Sequence, residues 1–154
     1  MRMNPKTVGI LVSGAALLTV VTMPSVGEER RVALSPEMLR TDPSHGSAAG
    51  WVDEQEVIIG PPANEPRQGW PVPPSGRTNF PAFVEIDLGQ PRPLSKLWFF
   101  DAEGSGDLII EVGEPGDWRP LATNDCRAYR KWVAVPLEVE TRYLRLVRMS
   151  PGAN

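Results

Sequence analysis

Phe83-Val84-Glu85-Ile86-Asp87-Leu88 decides the fold. Val84, Ile86 and Leu88 fall on one side of an extended chain, and Glu85 and Asp87 on the other. That two-residue period predicts a strand with one face on a core and one toward water. Working outward, Leu94 to Phe100 (LSKLWFF) reads as a second strand, with Leu97 and Phe99 facing one way, and Leu108 to Val112 (LIIEV) as a third. Glu114-Pro115-Gly116-Asp117 is a tight-turn signal leading into a strand from Trp118 to Ala122. Trp132 to Val135 and Tyr143 to Val147 follow, Leu144 and Leu146 alternating with Tyr143 and Arg145. Val32 to Leu34 reads as an early strand. The 17 prolines leave no room for a long helix. A short helix fits only at Ser35 to Leu39, where Ser35 can cap and Pro36 opens the first turn. Many short strands separated by turn chemistry predict an all-β fold, an antiparallel sandwich or barrel. Gly60 to Pro81 carries Trp70 and too much proline for regular structure, and a loop of that length in a compact domain is functional or poorly ordered.

The N-terminus reads as a leader. Arg2 and Lys6 precede a charge-free run from Val8 to Val21, shorter than the roughly 20 apolar residues that span a bilayer. Ser25 and Gly27 have the spacing of a signal cleavage site. The expectation is a signal peptide over 1–27 and one domain over 28–154, exported to an extracellular, periplasmic or cell-surface location; the competing reading is an uncleaved anchor. Without Arg2 and Lys6, the 16 basic residues fall to 14 against 19 acids. An acidic domain argues against nucleic acid and against anionic membrane surfaces as partners. Cys126 is the only cysteine and His45 the only histidine, which excludes an internal disulfide and leaves a catalytic thiol no obvious base.

The ordered motifs resemble a known family. Val84-Glu85-Ile86-Asp87-Leu88-Gly89, then Leu94-Ser95-Lys96-Leu97, then the hairpin Gly113 to Trp118, then Thr141-Arg142-Tyr143-Leu144-Arg145-Leu146 are similar to the discoidin, or coagulation factor 5/8 type C, module of the galactose-binding-domain-like superfamily. The similarity is good over about 80 to 150 and loose before. It resembles most the modules attached to secreted bacterial hydrolases. The resemblance implies a jelly-roll β-sandwich, a carbohydrate-binding accessory role and a hydrolase domain as partner. It also implies Trp118 in the core and Trp70 anchoring its loop. Two departures stand out. The final strand usual in such modules has no counterpart before Asn154, so the sandwich is expected to lack its last strand and the chain to be a fragment. Val52-Asp53-Glu54-Gln55 lacks the Asp-Gly-Asp pattern with which family members hold a structural Ca²⁺; no cofactor is assigned, and calcium stays an open alternative.

Catalytic signatures are missing: no Gly-x-Ser-x-Gly elbow and no His-Glu-x-x-His occur. The chain therefore reads as non-catalytic. Asp101-Ala102-Glu103-Gly104-Ser105-Gly106-Asp107 lacks the acid that would close a calcium loop, and reads first as an acidic turn. Its carboxylates can also accept bonds from sugar hydroxyls. Sugars present flat C–H faces that pack on aromatic rings, while paired hydroxyls take contacts from acids, amides and arginine. The candidate ligand-binding residues are thus Trp70, Arg67 and Arg77 in the proline-rich loop, Asp101, Glu103 and Asp107 in the acidic turn, and Tyr129 in the loop from Asn124 to Arg130. Two functions compete: a glycan-binding module using these loops, and a structural or protein–protein module that positions a hydrolase domain. A small hydrolase is a distant third. Arg142 and Arg145 read as an outward face making ordinary ion pairs.

Overall fold

The computed structural model describes residues 19–21, 31–41 and 80–150; for 19–21 it describes the backbone. Among these, the regular structure is almost all strand: β1 (Thr19–Val21), β2 (Leu39–Thr41), β3 (Ala82–Asp101), β4 (Asp107–Glu114), β5 (Asp117–Asp125) and β6 (Lys131–Arg148). They form one antiparallel sheet in the order β1-β3-β6-β4-β5, with β2 also on β3. The all-β expectation holds. β1 lies within the segment read as a leader and pairs Thr19 with Trp98 and Val20 with Leu97.

Two strands read separately from sequence are one here. β3 runs through Gly89-Gln90-Pro91-Arg92-Pro93, and β6 runs through Pro136 to Arg142. Proline's fixed φ is compatible with extended backbone, so these residues bend the chain and interrupt the ladder without ending it. The register shifts between Asp87 and Arg92, and again between Leu94 and Lys96. Straight, a strand the length of β3 would reach about 65 Å. Yet Glu103, two residues past its end, forms an ion pair with Arg148, the partner of Ala82 at its start. The paired strands β3 and β6 must therefore fold over together, which makes two layers from one sheet. One layer holds β2, the first half of β3, the second half of β6, β4 and β5. The other holds β1, the second half of β3 and the first half of β6.

The side chains agree. Val84, Ile86, Leu88, Ile110, Val112, Leu144 and Leu146 from one layer share a single buried cluster with Leu94, Leu97, Phe99, Val135 and Leu137 from the other. The alternation expected over 83–88 and 143–147 is the observed one.

Three local expectations are corrected. Val32 to Leu34 is not a strand, although Val32 and Leu34 are buried against the core. The helix at Ser35 to Leu39 shrinks to a 3-10 turn over Pro36–Met38, because Leu39 is drawn into pairing with Ile86. Trp118 is not core: it stands opposite Gly113 on the outer face of its layer, half-buried, 5.4 Å from the Arg145 guanidinium. Its ring supplies a lid to an outward ion-pair network instead.

Candidate functional site

The acidic turn and the Tyr129 loop meet at one end of the sandwich. Asp101 ends β3 on the inner side and is 3% exposed. A buried carboxylate is tolerated only where donors surround it. Here Oδ1 accepts from the Gly104 amide at 2.7 Å, and Oδ2 from the Ala128 amide at 2.7 Å and the Tyr129 amide at 3.3 Å. The Arg130 amide donates to the Asp101 carbonyl, and the Cys126 amide to Gly106. One side chain thus ties the β3–β4 turn to the β5–β6 loop. Asp101 was expected to contact ligand; its oxygens are spent on backbone, and it sets the loops' geometry.

Tyr129 is what that geometry presents. The residue is 61% exposed. Tyr129 and the next residue, Arg130, both adopt left-handed backbone, at φ of 43° and 52°. Gly104 passes directly beneath: a Cβ there would stand 2.8 Å from the Tyr129 Cβ. Glu103, in the same turn, pairs with Arg148, whose guanidinium lies 5.9 Å from the Phe80 ring. Asp107 is exposed at the first position of β4, opposite Asp125. The structure therefore gathers four predicted residues, Asp101, Glu103, Asp107 and Tyr129. Trp70, Arg67 and Arg77 lie outside the described residues, as do His45 and the Val52–Gln55 segment. Cys126 is buried at this end, and burial pushes its thiol up to about 11, which suits a structural role. Among the described residues, no cluster of three metal-ligating side chains occurs, and no helix is long and apolar enough to cross a membrane.

A second feature was not read from the sequence. At the other end of the layer, a groove of about 250 Å³ runs between the Pro36–Met38 turn with β2 and the β4–β5 hairpin. Its lining includes Trp118, Tyr143, Glu37, Arg40, Glu85 and Asp87. Asp87 is clamped by Arg142, Nε to Oδ1 and Nη2 to Oδ2, both at 2.8 Å, and also accepts from the Gly89 amide at 2.8 Å. That clamp holds the Asp87 carboxyl below the usual carboxylate range. Against the Trp118 ring, Arg145 pairs with Glu111 at 2.8 Å, and among the lining residues Arg40 pairs with Glu85 at 3.8 Å. The expected ion pairs of Arg142 and Arg145 are thus present, and the partner of Arg142, Asp87, lines this groove. The outward position of Tyr143 was legible from its alternation with Leu144. That Trp118 and β2 stand beside it is a matter of register, which the sequence does not state.

No family model matches the chain. No curated protein matches it. Among solved structures, it is similar to CpGH89CBM32-5 from Clostridium perfringens, solved in complex with GalNAc-β-1,3-galactose, at 13% identity and a TM-score of 0.48 over 88% of this chain and 85% of that one. A likeness at that level assigns neither family nor site.

Proposed function

We propose that the chain is an exported, non-catalytic carbohydrate-binding module whose ligand rests on the loop end around Tyr129. The observation that carries this reading is a large aromatic ring held out to solvent on left-handed backbone by a buried acid. Non-glycine residues in that conformation cost about 1–3 kcal/mol each and persist where surrounding structure enforces them, often at functional sites. A ring fixed in this way loses little entropy when a sugar face stacks on it. Glu103 and Asp107, on the adjoining turn, are proposed as acceptors for hydroxyls, and Asp101 positions the loop. Trp70, Arg67 and Arg77 are proposed as further ligand contacts. A hydrolase domain remains the proposed neighbour, and exposure of Tyr129 favours the glycan reading over a purely structural module.

Titration of the full chain by calorimetry, against neutral and charged oligosaccharides chosen from a glycan array, tests this. Binding is expected to be weak, and Tyr129→Ala is expected to lower the affinity about tenfold, the loss of one stacked ring. A folded sample that binds no glycan overturns the proposal.

A further inference from the structure

We infer that the groove between β2 and the β4–β5 hairpin is a second glycan subsite, which takes a single neutral sugar ring and is separate from the loop end. Four observations lead there. First, the groove presents two aromatic side chains, Trp118 and Tyr143, beside the carboxylates of Glu37, Glu85 and Asp87. Flat rings for C–H faces next to fixed acceptors for hydroxyls is the pairing a pyranose requires. Second, Trp118, Tyr143, Asp87 and Glu85 are braced before any ligand arrives. Arg145 packs under Trp118, Arg142 stacks 4.7 Å from the Tyr143 ring centroid while gripping Asp87, and the β2 pairing holds Arg40 over Glu85. Preorganisation of this kind lowers the cost of binding. Third, the volume, about 250 Å³, lies below the roughly 300 Å³ at which pockets for drug-sized ligands begin. It suits one ring of a chain whose neighbours lie in solvent. Fourth, the charges select: with the paired partners counted, Glu37, Glu85, Asp87 and Glu111 outnumber Arg40, Arg142 and Arg145 by one, so a uronate or sulfated sugar is disfavoured relative to a neutral one.

A peptide is the less suitable occupant. Strand addition requires a free edge, and along this part of β3 the edge is already paired, Leu39 with Ile86 and Arg40 with Glu85.

The test is a two-dimensional ¹H–¹⁵N NMR titration of the full chain with N,N′-diacetylchitobiose, cellobiose and lactose, with a glucuronate disaccharide and a lysine-rich peptide as contrasting probes. At least one neutral sugar is expected to shift the Trp118 indole and the Tyr143 and Asp87 amides. Those shifts should persist in Tyr129→Ala, which removes the loop-end ring, and weaken about tenfold or more in Trp118→Ala. Trp118→Phe retains a ring and is expected to recover part of the affinity. Because the wild-type and Tyr129→Ala spectra are read directly, instability of a Trp118 variant does not obscure the answer. The inference is overturned if no neutral sugar shifts the groove resonances, if the shifts vanish in Tyr129→Ala, or if the glucuronate or the peptide binds there as tightly as the sugars. Loss of loop-end shifts with groove shifts intact would instead count against the loop-end proposal alone.

Discussion

Asp87 and Asp101 show how differently one residue type can be used. Asp101 is buried and bonded to three backbone amides. Asp87 sits at the surface, gripped by one guanidinium and one amide. The Asp87 carboxyl is held below the usual range chiefly by its bond from Arg142. A depressed carboxylate stabilises the fold above the unfolded-state value, near 3.9, and that contribution disappears as pH falls through the folded-state value. Asp87→Asn is therefore expected to cost about 0.5–1 kcal/mol at pH 7, the scale of a half-exposed but bidentate pair. The gap between variant and wild type should narrow as pH falls below about 4. Urea denaturation at pH 7 and pH 3 measures both values, and a gap that stays constant across that range would contradict the assignment.

At the scale of elements, the β4–β5 hairpin is the most constrained piece. Gly113 has φ of 143°, and a Cβ there would stand 2.1 Å from the Asp117 carbonyl oxygen. Gly113→Ala must break the second pair from the turn, Gly113 with Trp118, and should cost more than about 2 kcal/mol, read as a fall in the midpoint of chemical denaturation. This hairpin was legible beforehand, because Pro115-Gly116 between alternating segments is local chemistry. So were the buried faces of Val84, Ile86 and Leu88, since a strand's period is written in consecutive residues. The joining of 82–88 to 94–101 was not. Gly89 to Pro93 carries ordinary loop signals, and only pairing with β6 on both sides of the bend makes it one strand. The loop-end site was partly legible: exposed loop carboxylates and Tyr129 were singled out, but the burial of Asp101 depends on amides 27 and 28 residues away. The groove was invisible for the same reason, since it assembles residues 37–40, 85–87, 118 and 143 from separate elements.

For the whole molecule, the fold-over of β3 and β6 fixes where the two sites lie. Asp101 and Tyr129 occupy the end where both long strands start and finish. Asp87 and Tyr143 lie five positions along β3 from Ala82, about 16 Å away, on the other layer. Changes made more than about 7–10 Å apart with no shared partner act additively. Asp101→Asn replaces one accepting oxygen with an amide that faces other donors, and should cost about 2 kcal/mol. In the double variant Asp87→Asn with Asp101→Asn, the loss should equal the separate losses to within about 0.5 kcal/mol. The two-layer geometry makes this a discriminating measurement. A sheet folded at a different point would bring the β3–β4 turn toward Gly89, couple the two acids through shared neighbours, and yield an interaction energy well above that limit. Additivity in stability, together with groove shifts that survive Tyr129→Ala, would establish the two ends of one sandwich as independent sites.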